Sequence, residues 1–481
     1  MFRLRDLVGV IPGAILLGDL DAKWLNISVD SRTIKPGEIF FSLRGEKYDG
    51  HQFINEAIEK GASAIVLEKS SYQSHKSFHH LSKELVQPIL LVDNSLSALQ
   101  LWAHHYHSLF QPMNICITGS NGKTTTKEMI VHLLNSNYHV LKSKGNFNNE
   151  IGVPLTLLNL DSHHDILVLE MAARKLGEIK ELTNIVKPDI AIITNVCEAH
   201  IGLFESRDNI AREKSEIILS LKDKGTAILN RDDAYFDYFK NCNAHQNELV
   251  SFGFHPEAQL RAANFIQDRE KGIHFELFFQ GEKHQVFIPL LGRFNVYNCL
   301  AAFASGVKMH IPIDEMIHRI STFKTPKMRM ENLSFSRGIM VIQDCYNSNP
   351  TAVKEALNSI AGISGDRFKV VVLGDMLELG SRSPDYHKEI GKITANLSFD
   401  MLIGFGEYGK WIALGAKEQG MAGDRIYCFN KEEKNKLVNK LIKELPQNSI
   451  VFLKGSRGMQ MEDIVHCWKQ EGKTREKSRN D

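Results

Sequence analysis

The sequence predicts an α/β protein of three domains: a small N-terminal α/β domain, a central domain built on a parallel sheet, and a C-terminal Rossmann-like domain. Three observations lead there. At 481 residues the chain exceeds the roughly 250–300 residues at which a single core stops growing. From Met113 onward, short apolar runs alternate with helical patterns, as βα units do. One of those runs, Ile115-Cys116-Ile117, opens directly into the glycine-bearing turn Thr118-Gly119-Ser120-Asn121-Gly122-Lys123-Thr124-Thr125-Thr126.

Residues 1–97 read as the first domain. Short strands are separated by turn signals (Lys35-Pro36-Gly37, Asp49-Gly50), and a polar Ser/His-rich stretch from Ser70 to Ser82 reads as a surface loop. Residues 98–323 read as the central domain, with parallel strands expected at Ile115 to Thr118, Ile166 to Glu170, Ile190 to Asn195 and Thr226 to Asn230. Residues 324–470 repeat the βα pattern, with strands at Ile339 to Asp344, Lys369 to Leu373, Met401 to Ile403 and Ile450 to Leu453, several of them ending in glycine turns. Residues 471–481 are nearly all polar or charged and read as a flexible tail.

Composition narrows the function. Hydrophobic residues at 43% and charged ones at 24% are ordinary for a soluble globular protein. A formal net charge of +1 provides no field for holding nucleic acid or an anionic membrane. No apolar run approaches the ~18 residues of a membrane span. The basic start at Arg3 and Arg5 and the apolar Leu7 to Leu17 resemble a signal sequence only superficially, because Asp6, Pro12, Asp19 and Asp21 interrupt the pattern. Seven scattered cysteines without a Cys-x-x-Cys pair fit a reduced, cytoplasmic location. His75, His79, His80, His104, His105 and His107 lack Cys or carboxylate partners at ligand spacing and read as solvated side chains rather than metal ligands.

The loop after Ile117 is a phosphate cradle in composition. Gly119 and Gly122 let backbone N–H groups close on a polyphosphate, and the helix N-terminus adds its positive dipole end. Lys123 supplies a mobile charge and Thr124 a hydroxyl for Mg²⁺, so ATP or GTP is the expected ligand. The common Gly-x-x-x-x-Gly-Lys-[Ser/Thr] pattern would need glycine at Ile117, so the loop here is a shorter variant. Glu170 ends an apolar run where open α/β sheets bind ligands and is a candidate Mg²⁺ ligand. Asn195 and His200 follow the next strand, and Lys214 lies in Ala211-Arg-Glu-Lys-Ser-Glu216; taken alone, His200 and Lys214 read as surface residues.

Taken together, the order of these segments resembles the Mur ligases of peptidoglycan synthesis. The loop is followed by Glu170-Met-Ala-Ala-Arg174, then Thr194-Asn-Val…His200, then Lys214-Ser-Glu-Ile217. Upstream, Asp30-Ser31-Arg32…Pro36-Gly37…Phe40-Phe41…Asp49-Gly50-His51 is similar to the uridine-nucleotide domain of the members that add the third residue and the dipeptide. Downstream, Gly292-Arg293-Phe294-Asn295-Val296-Tyr297-Asn298 resembles the family's Gly-x-His-Asn-x-x-Asn segment. Asp344-Cys345-Tyr346-Asn347-Ser348-Asn349-Pro350 resembles the signature of the dipeptide-adding members, and the Asp-Asn-Pro-Arg motif of the diaminopimelate-adding ones is absent. Two positions depart from the pattern: Phe294 stands where the family has His, and Cys345 replaces a small polar residue.

The resemblance implies an ATP-dependent ligase that joins D-alanyl-D-alanine to UDP-N-acetylmuramoyl-tripeptide through an acyl phosphate. It implies a monomer acting on small molecules without membrane insertion. Gly119, Ser120, Asn121, Gly122, Lys123, Thr124 and Thr125 would cradle the nucleotide. Two Mg²⁺ ions would be held by Thr124, Glu170, His200 and a carbamylated Lys214. Asn295 and Asn298 would meet the adenine side, Arg329 the γ-phosphate and Asp344 the ribose. Ser31, Arg32, Asn148 and Asn149 would contact the uridine-linked substrate, and Asn347 and Asn349 the dipeptide. A folylpolyglutamate synthase shares the short loop, but the Asp30-Ser31-Arg32 region argues against it. A nucleotide-driven switch would cleave ATP without an acceptor.

Overall fold

The computed structural model describes residues 2–45, 48–74, 87–244, 246–268, 271–363 and 365–480. His75, His79, His80 and the expected surface loop beyond Ser74 lie outside them; the start of that loop, Lys69–Ser74, is helical. The chain forms two compact units, one of Met1–Ile115, Tyr138–Ala172 and Glu178–Asp189, the other of Cys116–Asn137, Ala173–Gly177 and Ile190–Asp481.

The first unit begins with strands β1 (Phe2–Arg3), β2 (Ile15–Leu17), β3 (Lys23–Trp24), β4 (Ile27–Ser28), β5 (Ile39–Phe41), β6 (Ala64–Glu68) and β7 (Ile89–Val92). Five of them form a sheet in the order β2-β7-β6-β5-β4, parallel except for β2 against β7, and β1 pairs with β3 in a separate ladder. Its core gathers Leu4, Leu7, Phe41, Val66 and Leu90 around Trp102, whose ring meets Trp24 edge-on at 5.6 Å. Trp102 comes from the helix Ser95–Ser108, capped by Asn94, whose side chain accepts from Ser97 N–H at 2.8 Å. That helix runs through the expected boundary at residues 97/98, because its apolar face belongs to this core. The unit also holds the first half of β8 (Met113–Thr118), together with β9 (Val140–Lys142) and β10 (Ile166–Glu170), which pair in parallel.

In the second unit the end of β8 leads to β11 (Ile190–Ile193), β12 (Thr226–Asn230), β13 (Glu248–Gly253), β14 (Leu260–Asp268), β15 (Gly272–Phe279) and β16 (Glu282–Ile288), neighbours in that order. Strands expected from apolar runs form where expected. β12, for example, has only buried residues, as a strand covered on both faces requires. The all-parallel expectation fails from β14 onward: β14, β15 and β16 pair antiparallel. Their residues alternate buried and exposed, as in β15, so one face meets solvent and the continuous apolar signal is missing. The helix Lys123–Leu134 packs against Phe294–Lys308, whose Ala301, Ala302, Ala304 and Gly306 are buried.

The last sheet has the order β17-β18-β22-β19-β20-β21, from β17 (Glu331–Ser334), β18 (Met340–Asp344), β19 (Lys369–Gly374), β20 (Met401–Phe405), β21 (Ile426–Phe429) and β22 (Ile450–Lys454). All pairs are parallel except β17 with β18. Side-chain alternation splits its strands between two cores: Val371 and Leu373 join one, Val370 and Val372 the other. The residues expected to fray from 471 continue the helix Glu462–Asn480. Among the described residues no helix is long and apolar enough to cross a membrane.

Candidate active site

The phosphate loop connects β8 to the helix Lys123–Leu134, and its shape needs both glycines. Gly119 sits at φ +146°, and a Cβ there would stand 3.0 Å from Thr194 Cβ and 3.1 Å from Thr194 N, on top of its Oγ1. Gly122 sits at φ +84°, and a Cβ would overlap the amide oxygen of Asn298. Both values lie where side chains are strained. Gly122 is the residue before the helix and supplies no side-chain cap, so the helix end keeps its positive pole for an anion. A nucleotide polyphosphate fits this cradle.

Below the loop, neighbouring strand ends hold its backbone. Thr194 Oγ1 donates to Asn121 O at 2.5 Å, Asn121 N–H donates to Asn195 Oδ1 at 2.9 Å, and Ser120 N–H donates to Asn195 O at 2.8 Å. Asp233 accepts from Val196 N–H at 2.8 Å and so fixes the chain leaving β11; burial raises its carboxyl above the ordinary value. Lys123 Nζ lies across the loop, donating to Gly119 O at 2.6 Å and Ser120 O at 3.3 Å. Arg329 Nη2 donates to Thr124 Oγ1 at 2.9 Å, and its guanidinium lies 4.2 Å over the Tyr346 ring. The arginine expected at the γ-phosphate is therefore already at the first helical threonine.

Lys214, at 5% exposure, is buried in the helix Arg207–Leu219. Desolvation, followed by the charge of Lys123, lowers it to about 7. Cys197 and Glu213 are the nearby groups that partly oppose this. The surface position expected for Lys214 from sequence alone is thus corrected. His200 adopts a left-handed backbone at φ 59°. Its Nδ1 is hydrogen-bonded to Glu378 Oε2, which leaves Nε2 as the other face of the ring. Glu378 also lies 3.4 Å from Arg174 Nη2, and the His200 bond lowers its carboxyl below the usual range.

Glu378 was missed by sequence reasoning. Its signal was the glycine-bounded Gly374-Asp-Met-Leu-Glu-Leu-Gly380 after β19. The approach is backbone on backbone: Gly202 N–H donates to Glu378 O at 3.0 Å, and a Cβ on Gly202 would collide with Gly380.

Four of the residues expected at ligands make internal contacts. Asn298 Nδ2 donates to Asn295 Oδ1 at 2.9 Å, and Asn298 Oδ1 accepts from Thr126 Oγ1 at 3.3 Å. Asn295 Nδ2 donates to Leu291 O at 2.8 Å, so these two buried amides brace the helix under the loop rather than project outward. Asp344 pairs with Lys454 at 2.5 Å, and Lys454 is only 3% exposed. Asn349 caps the helix Pro350–Ile363, accepting from Ala352 N–H at 2.9 Å, and also pairs with Asn121. Asn347 alone of its segment is exposed, its oxygen turned to Ser348 N–H at 2.8 Å. Phe294 packs against the core that holds Ile342 and Val371. An imidazole there would have to give up that apolar contact.

In the first unit, Glu170 is 3% exposed at the end of β10, and Asn148 Nδ2 donates to its Oε1 at 2.8 Å. The structure thus brings together a candidate metal ligand and a candidate substrate contact. Asn149 Oδ1 accepts from Gly152 N–H at 2.9 Å, as an N-cap-like turn. Ser31 Oγ donates to Glu56 at 2.7 Å, and Arg32 pairs with Asp30 at 2.7 Å with most of its side chain in solvent. His104 is hydrogen-bonded to Ile185 O at 2.7 Å and His107 to Asn114 Oδ1 at 3.0 Å. Among the described residues no group of three or more His, Cys, Asp and Glu side chains is arranged to hold a metal ion. The hard oxygens of Thr124 and Glu170 are donors of the kind Mg²⁺ prefers.

Three family models match the chain: "Mur ligase family, catalytic domain" over residues 25–107, "Mur ligase middle domain" over 117–306, and "Mur ligase, glutamate ligase domain" over 328–457. A UDP-N-acetylmuramoyl-tripeptide–D-alanyl-D-alanine ligase of Bacillus subtilis is 35% identical over 91% of this chain and 92% of its own. A crystal structure of MurF from Acinetobacter baumannii superposes with a TM-score of 0.84 at 27% identity, covering 98% of this chain and 99% of that one. The MurF ligase of Thermotoga maritima in complex with ADP superposes with a TM-score of 0.80 at 26% identity, covering 94% and 99%.

Proposed function

The chain belongs to the Mur ligase family, and we propose that it joins D-alanyl-D-alanine to the free carboxyl of UDP-N-acetylmuramoyl-tripeptide with cleavage of ATP to ADP and phosphate. The observation that carries the nucleotide is the double-glycine cradle with Arg329 reaching Thr124. The choice of substrates rests on the likeness, over nine-tenths of the chain, to relatives whose names state them.

A carboxylate resists attack by an amine at neutral pH, because its carbonyl is masked by resonance and oxide is the leaving group. Bound ATP supplies the γ-phosphoryl group that makes the carboxyl an acyl phosphate, and bound Mg²⁺ neutralises the anions that must meet. The dipeptide's amine then adds to the acyl carbon, phosphate leaves, and one proton goes to solvent.

The chain's part is charge and position. Lys123 swings from the loop carbonyls to phosphate oxygens. Thr124 and Glu170 would each offer a hard oxygen to Mg²⁺, and Asn148 orients the Glu170 carboxylate. His200, its ring set by Glu378, would offer its other ring nitrogen to a second ion. Lys214, whose buried amine is pushed down to about 7, would add as the free amine to CO₂ and release one proton to solvent, giving a carbamate whose oxygens suit Mg²⁺ where an ammonium would repel it. Arg329 meets the transferring phosphoryl group. Asp344 turns to the ribose only by leaving Lys454. Ser31 and Arg32 mark the uridine-nucleotide end, and Asn347 the dipeptide. The enzyme acts as a monomer in the cytoplasm, a location suited to its seven free cysteines.

The test offers ATP, UDP-N-acetylmuramoyl-tripeptide and D-alanyl-D-alanine, measures phosphate with each omitted in turn, and identifies the pentapeptide by mass. Phosphate release should need all three. Release independent of both acceptors would replace the ligase by a nucleotide-driven switch.

A further inference from the structure

The phosphate loop reaches outward at one residue. The backbone of Asn121 is pinned by Thr194 and Asn195, and its side chain takes separate partners. That side chain meets Asn349, 228 positions along the chain: Asn349 Nδ2 donates to Asn121 Oδ1 at 2.7 Å, and Asn121 Nδ2 donates back to Asn349 Oδ1 at 3.4 Å. Asn121 Nδ2 also lies 3.1 Å from Cys197 Sγ. The pair is complementary because each carboxamide carries its N–H donors and its carbonyl acceptor on separate atoms of one planar group, so the two can donate to and accept from each other at once.

Asn349 is 2% exposed, and its amide oxygen does a second job as the cap of the helix Pro350–Ile363. The same short segment carries Tyr346, on which the Arg329 guanidinium lies, and Arg329 reaches Thr124 at the other end of the loop. Loop and segment are therefore joined at two points, one amide pair and one arginine stacked on a tyrosine. Capping explains the Asn349 oxygen. It does not explain why the amide nitrogen is aimed at the loop.

We propose that Asn121 and Asn349 are a positioning pair, through which the state of the phosphate loop sets the seating of the segment Asp344–Pro350 and hence of Arg329. A nucleotide that orders the loop then steadies the segment, and with it the arginine already seated at Thr124. This rests on the reading of the loop as a nucleotide site, and it assigns Asn349 to positioning, where a contact with the dipeptide was expected.

The experiment separates cap from link. Asn349→Ser keeps a good N-cap but is too short to reach Asn121; Asn121→Ala removes the link and leaves the cap untouched. Amide hydrogen exchange of residues 344–357 is followed in the unsubstituted protein and both variants, with and without a non-hydrolysable ATP analogue. The analogue's Kd is measured in parallel.

The analogue should slow exchange of the segment in the unsubstituted protein and leave it unchanged in both variants, while its Kd for Asn349→Ser stays within about threefold of the parent's. In the ligation assay each variant should lower kcat about tenfold, the worth of one buried neutral hydrogen bond, and the double variant should fall no further than either single one. Equal protection in the variants and the parent, or single effects that multiply in the double variant, would overturn the inference. If Asn349→Ser fails to fold, Asn121→Ala decides alone. Failure of the functional reading looks different: the unsubstituted protein would then not bind the analogue, or would release phosphate without acceptors.

Discussion

Gly119→Ala tests the cradle most directly. A methyl at this position must share space with Thr194, whose Cβ would lie 3.0 Å and amide nitrogen 3.1 Å away, with Oγ1 closer still. Backbone cannot yield cheaply, and Thr194 Oγ1 is engaged with Asn121 O at 2.5 Å. Overpacking of this kind costs about 1–3 kcal/mol, and a side chain at φ +146° adds roughly 1–2 kcal/mol. The sum of about 2–5 kcal/mol is carried by the loop, so it should appear as a loss of nucleotide affinity of about 300-fold at its middle, since each 1.4 kcal/mol is tenfold.

Titration calorimetry with ADP and with an ATP analogue reads the loss, and denaturant unfolding reads whatever part reaches global stability. Thr194→Ala in the same chain removes Oγ1 and should return part of the affinity. Gly145, with φ +53° and nothing within 4 Å of a built Cβ, is the control; its alanine variant should cost only about 1 kcal/mol, from backbone strain alone. A Gly119→Ala protein that binds ADP like its parent would refute the steric account.

Lys214→Met replaces a buried amine by an uncharged chain of similar length. Because the folded value is about 7 against 10.5 unfolded, the unfolded chain holds more protons between those pH values. The parent should therefore gain stability as pH rises from 7 toward 10, by at most about 1.4 kcal/mol per pH unit. Urea unfolding at several pH values should show the variant with a flatter profile and no ligase activity; a parallel profile would place Lys214 in solvent. Asp344→Asn leaves the Lys454 ammonium buried without its carboxylate and should cost about 3–5 kcal/mol, with much of it returned by adding Lys454→Met. Unchanged unfolding of the single variant would mean the pair is wet. Glu378→Gln keeps an acceptor for His200 Nδ1 and should behave like the parent, whereas Glu378→Ala should raise the half-saturating Mg²⁺ concentration about tenfold. Identical Mg²⁺ curves for both would remove Glu378 from the site.

The sequence by itself determined the α/β class, the positions of the buried parallel strands and the nucleotide loop. These are local facts: a strand covered on both faces must be continuously apolar along its buried run, as over residues 166–169 and 450–453, and a turn that closes on phosphate must have glycine where φ is positive. The hairpin strands β14 to β16 escaped because one face meets solvent, so the continuous apolar signal is missing. Partners decided by chain return were illegible for a stronger reason. Nothing near Asn121 announces Asn349, nothing near His200 announces Glu378, and Asp344 carries no mark of Lys454 in its neighbourhood. Each pairing exists because sheets assembled from distant segments bring their strand ends together, and the low dielectric there makes an unmatched amide or charge costly. Tertiary structure alone turned Lys214 from an ordinary surface cation into a buried amine near neutrality, since desolvation is a property of the packed site and not of the residue.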